Sequence, residues 1–123
     1  MPPKAIRINA QGHVVALDNP VPVSKKNNDE LLWIALGGGG PWTITFDKIP
    51  NLPPPANADP SNYPLAPLSP FPGGSFTVPA GGSSPSTGAV IGLVGRTYRY
   101  QVRQGANAPN GQVMHDPDVD VES

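Results

Sequence analysis

Proline and glycine recur so often along this chain that no helix of ordinary length has room to form. The sequence holds 18 prolines and 14 glycines in 123 residues. Nowhere does an apolar i, i+3, i+4, i+7 pattern run for about ten residues without meeting one of them. Proline removes a helical hydrogen bond and glycine raises the entropic cost of ordering the turn. Period-two alternation is frequent instead, and that is the signature of strands. The chain therefore reads as all-β.

Along the chain, Ile6 and Ile8 flank Arg7, and after a turn at Gln11-Gly12 the pattern resumes at Val15 and Leu17. Val21 and Val23 alternate with Pro20 and Pro22, which suits an edge strand where a missing N–H costs little. Residues 24–30 are polar and read as a turn. Residues 31–36 are apolar at every position and predict a central strand covered on both sides. Four glycines at 37–40 permit a reversal into Trp42-Thr43-Ile44-Thr45-Phe46, with Trp42, Ile44 and Phe46 inward and the threonines outward. Further strands are predicted at 75–78, 89–94, 96–103 and, beyond a loop over 104–117, at 118–122. In the long one, Tyr98, Tyr100 and Val102 share a core face, while Arg99, Gln101 and Arg103 point away. Val119 and Val121 join that core and turn Asp118, Asp120 and Glu122 outward.

Nine of the prolines fall within 50–72, so 50–74 reads as a proline-rich loop inserted between strands of one domain spanning 1–123. Tyr63, Leu65, Leu68 and Phe71 predict that it packs down on the fold. P-x-x-P occurs at 64–67 and 67–70 without a flanking basic residue, which favours a structural loop over a peptide ligand. Seven to nine short strands separated by turns point to a Greek-key β-sandwich of the immunoglobulin-like kind.

The order of segments carries a resemblance. A polar turn leads into Glu30-Leu31-Leu32-Trp33-Ile34 and then 42–46, and the chain ends on Tyr98-Arg99-Tyr100, a loop, and Val119-Asp120-Val121. This resembles the cupredoxin-like β-sandwich superfamily over most of the chain outside 50–72. Cupredoxins take copper from a histidine near the middle and a Cys, a His and a Met in the last loop. Met114 and His115 do lie in the last loop here, but the middle histidine and the cysteine are missing. The resemblance thus implies the fold, with a metal-binding relative using Met114 and His115 as an alternative function.

Composition narrows the rest. With no cysteine, disulfides, zinc–thiolate sites, thiol catalysis and a blue-copper thiolate are excluded. A net charge of −1 gives nucleic acid and anionic membranes no electrostatic attraction. Charged residues are only 14% of the chain, and 49–95 carries a single formal charge, Asp59. Such a surface predicts contact with other protein subunits, self-association first, through 50–72 or the strand after it, because interface cores are depleted in charge. A small ligand beneath 50–72 is a further possibility. No apolar leader precedes the first strand and the longest apolar run, 31–36, is too short to span a bilayer, so the chain reads as cytoplasmic, with a removed leader leaving the same picture.

Candidate sites are few. Residues 37–40 lack the helix start and Lys-Ser/Thr pair of a phosphate loop and read as a hairpin turn. Asp116, Asp118, Asp120 and Glu122 alternate like the start of a calcium loop, but Val121 stands where that loop needs glycine. His13 and His115 are the two histidines and read as surface side chains; with Met114 they form the candidate soft-metal set. No G-x-S-x-G occurs among the hydroxyls of 75–87, and the tyrosines and arginines of 96–103 fall on opposite faces, so neither nucleophilic catalysis nor base stacking is supported. The sequence predicts no enzyme, no catalytic residue and no resident cofactor.

Overall fold

The computed structural model describes residues 3–46, 69–108 and 110–123. Among these, nine strands form: β1 (Lys4–Ile8), β2 (Val21–Ser24), β3 (Leu31–Ala35), β4 (Trp42–Thr45), β5 (Ser75–Val78), β6 (Thr97–Arg99), β7 (Gln101–Gln104), β8 (Val113–His115) and β9 (Asp118–Glu122). One 3₁₀ turn, Ala16–Asp18, is the remaining regular element. The protein is all-β.

Three sheets result. β1 pairs with β3 in parallel, Ile6 opposite Trp33. β9 lies between β2, to which it is parallel, and β6, to which it is antiparallel. The third sheet is antiparallel in the order β5-β4-β7-β8. A single residue, Tyr100, separates β6 from β7, so one extended run passes from β9 to β4 and joins the second sheet to the third.

Alternation explains the core. Ile6 and Ile8, Leu31 and Trp33, Tyr98 and Tyr100, and Val119 and Val121 are all buried in one cluster. Trp33 sits among aromatic rings, with centroids 5.5 Å from Phe76, 5.4 Å from Tyr100 and 6.3 Å from Phe46. Stacked and edge-on contacts of this kind add to the gain from burial alone. Phe71 is buried against Phe46, at 6.0 Å, so the end of the proline-rich segment does enter the core. The expectations for 50–68, including Tyr63, Leu65, Leu68, the P-x-x-P repeats and a ligand beneath 50–72, lie outside the described residues.

Several expectations are corrected. Val15 and Leu17 do not continue a strand: Val14 turns inward, and Leu17, in the 3₁₀ turn, is 88% exposed. That turn is fixed by Asp18, which accepts from the Arg7 backbone N–H at 2.8 Å and from its guanidinium at 2.9 and 3.2 Å. Leu32 and Ile34 are half-buried, and Leu36 is exposed, so β3 is fully covered on one face only. Thr43 and Thr45 are buried rather than outward. Thr43 Oγ1 donates to the Gly105 carbonyl at 2.6 Å and accepts from Ala108 N–H at 3.0 Å, so the loop after β7 covers that face. Gln101 is likewise buried. The 104–117 loop contains β8.

Residues 89–94 form no strand. Ile91 and Gly92 both donate their N–H to the Pro70 carbonyl, at 2.7 and 3.0 Å, and Val90 donates to Asp29 at 2.9 Å. The segment that instead lines β3 is 82–87. Ser84 N–H reaches the Trp33 carbonyl and Thr87 N–H the Leu31 carbonyl, at 2.8 and 2.9 Å. The two hydroxyls then accept from Trp33 N–H and Leu31 N–H, at 2.9 and 3.0 Å, standing where strand carbonyls would. Side-chain oxygens here complete a ladder that Pro85 would otherwise interrupt.

Candidate functional site

The three residues singled out as soft-metal candidates meet at one end of the molecule. His13 lies in the turn over 9–14, which Asn9 organises by accepting from Gln11 N–H and His13 N–H, each at 3.0 Å. Gly12 at the apex has φ +83°, and a Cβ there would lie 2.8 Å from Met114 Cβ. Met114 is half-buried against the core beneath that glycine, and His115 follows it in β8. The His13 and His115 rings stack with centroids 5.0 Å apart and planes 13° from parallel.

This arrangement packs; it does not chelate. A ring nitrogen binds metal along a lone pair in the plane of its ring, and two nearly parallel rings aim those lone pairs along separate planes. His115 Nδ1 is also engaged already, accepting from Val14 N–H at 3.1 Å. The residues therefore do not fit the copper that the cupredoxin resemblance would bring. Among the described residues, no group of three or more His, Asp or Glu is placed to hold a metal. The C-terminal carboxylates are engaged elsewhere: Asp118 pairs with Arg99 at 3.2 Å and Asp120 accepts from Thr97 Oγ1 at 2.7 Å.

Within 37–40, two of the glycines have a packing role. Gly39 and Gly40 lie over the buried Trp42 indole together with Gly12: a Cβ at Gly39 would fall 2.8 Å from Ala10 Cα and 3.3 Å from the indole, and one at Gly40 3.3 Å from Trp42 Nε1. A side chain at those positions would displace the backbone or the ring. The motif is a closely fitted cover over tryptophan.

Electrostatics at this end are asymmetric. Burial, then the neighbouring His13, holds the His115 imidazole below its ordinary value, while Asp116 and Asp118 act in the opposite sense. In the 3₁₀ turn at 16–18, the side-chain bond from Arg7 holds Asp18 below the usual carboxylate range. In the core, burial pushes the Tyr100 hydroxyl well above its ordinary value. A tyrosine held neutral among aromatic rings packs rather than transfers protons.

A second surface was not singled out from the sequence. Ile91, Leu93 and Val94 are 50%, 43% and 52% exposed in the segment that was expected to be a strand. Gly92 between them is buried, too close to Pro70 and Tyr98 to admit a side chain, which turns its neighbours outward. The pointer available in the sequence was the absence of charge around them. Among the described residues no helix is long and apolar enough to cross a membrane. Comparison with protein-family models, curated proteins and solved structures finds no match to this chain.

Proposed function

We propose that this chain is a non-enzymatic structural or binding protein that associates with further copies of itself through the loop around residues 91–94. The observation that carries the reading is three half-exposed aliphatic side chains, Ile91, Leu93 and Val94, within a stretch almost free of charge. Two copies can bring such surfaces together without burying a charge, and the net charge of −1 opposes the approach only weakly. Three side chains fall well short of the roughly 800 Å² per partner of a stable interface, so the association is weak and concentration-dependent. The scaffold proposed is a Greek-key, cupredoxin-like sandwich in one domain. Supporting it, the run β2-β9-β6/β7-β4-β5 and the β1–β3 pair bury side chains in one shared core cluster, and the pairings β1–β3 and β2–β9 are both parallel.

Light scattering after size-exclusion chromatography tests the reading. The mass should rise with concentration, and Leu93→Glu with Val94→Lys should return it to that of a monomer. Both side chains are exposed, so each change should alter stability by less than about 0.5 kcal/mol. A wild type that stays monomeric at the highest attainable concentration overturns the proposal.

A further inference from the structure

We infer that His115 is an acid-sensitive latch: at neutral pH it fastens the turn over 9–14 to the sheet edge at β8, and protonation of its ring releases the two. The turn supplies the geometry. Asn9 N–H reaches the His13 carbonyl at 2.9 Å and Val15 N–H the Arg7 carbonyl at 3.0 Å, while Val14 bridges to Ile8 between them. In antiparallel pairing the intervening residue directs its N–H to the other side. Val14 N–H thus points away from β1, and His115 Nδ1 accepts it at 3.1 Å. Among the described residues this is the hydrogen bond that joins the turn to β8, across 101 positions of sequence.

A backbone N–H can only donate, so Nδ1 must carry its lone pair and the ring is neutral with its proton on Nε2. Protonating Nδ1 removes that lone pair and sets two N–H groups against each other. It also places a positive charge on the stacked face of His13. The other charged groups nearby do not rescue the bond. Asp118 is committed to Arg99 at 3.2 Å, and Asp116 is exposed on the same segment as His115. β7, packed against β8, contributes Arg103, whose guanidinium bonds the Gly111 carbonyl at 3.0 Å and the Gln101 side chain.

β8 is three residues long and lies at the edge of its sheet, with Val113 37% exposed and Met114 half-buried beneath Gly12. Releasing the turn uncovers Met114 and the β8 edge while the aromatic core stays closed. Acid therefore opens this end of the molecule alone.

Nuclear magnetic resonance on the labelled full chain tests this. At pH 8 the His115 ring nitrogens should report the Nε2–H form. As pH falls to 5, the protection factor of the Val14 amide (its exchange relative to an unstructured peptide at the same pH) should drop by roughly tenfold, the scale of one lost hydrogen bond. Its midpoint should coincide with His115 titration, and the Val102 and Val119 amides should keep their protection. His115→Gln should remove the pH dependence, and His13→Gln should raise the titration midpoint of His115. An Nδ1–H form at pH 8, a Val14 amide that ignores His115, or unchanged pH dependence in His115→Gln overturns the latch. Should His115→Gln fail to fold, the wild-type titration and His13→Gln decide.

Discussion

Gly12, Gly38 and Gly39 separate two ways in which a single methyl group can harm a fold. Gly38 has φ +74° and nothing near its absent Cβ, so alanine there suffers from the backbone conformation alone. Gly39 lacks a positive φ, but its Cβ would meet Ala10 Cα at 2.8 Å, so alanine suffers from space alone. Gly12 combines φ +83° with a 2.8 Å approach to Met114 Cβ. Left-handed backbone costs an ordinary residue about 1–2 kcal/mol, and overpacking about 1–3 kcal/mol. Urea unfolding should therefore place Gly12→Ala as the most destabilised, with Gly38→Ala losing about 1 kcal/mol. Only Gly12→Ala and Gly39→Ala should also shift tryptophan fluorescence, because only they push on atoms around the indole. Equal losses in all three would mean that Gly12 and Gly39 do not cover Trp42 as described.

At the scale of elements, β9 puts the alternation rule to a direct test. Val121 is 2% exposed and faces the core, while Asp120, one residue earlier, accepts a hydrogen bond from Thr97 on the outer face. Val121→Asp buries a charge without a partner and should lose about 3 kcal/mol or more. Asp120→Ala removes one part-exposed bond and should lose no more than about 1 kcal/mol. Similar shifts in the urea midpoint would mean that the C-terminal strand is not formed. Strands such as β3, β4, β5 and β9 were legible because their own side chains alternate or stay apolar. The elements that were not legible depend on something outside their own pattern. Residues 82–87 line β3 because Ser84 and Thr87 lend it their hydroxyls, and 89–94 is held off the sheet by the Pro70 carbonyl. β8 is too short, and its Met-His ending too mixed, for periodicity to register. For the candidate site, His13, Met114 and His115 could each be named from sequence. Their meeting could not, since it depends on pairing across the whole chain and on a backbone N–H that no side-chain pattern records.

For the whole molecule, two depressed titrations set the response to acid, and both act in the same direction. His115 is held below its ordinary value in the folded chain, so between that value and about 6.5 the unfolded chain binds more protons. Stability therefore rises with pH across that window, and equivalently falls as pH drops below about 6.5. Above it, both states hold a neutral ring and the residue contributes no pH dependence. Asp18 is also depressed, through its side-chain bond to Arg7, so its contribution is complete above about 3.9 and is lost as pH falls through its folded value. The acid limb should accordingly show two separate steps. Urea midpoints measured from pH 8 to pH 2 resolve them: His115→Gln should flatten the upper step and leave the lower, and Asp18→Asn should do the reverse. A single step near pH 4 that survives both substitutions would place the acid sensitivity of the fold in other carboxylates.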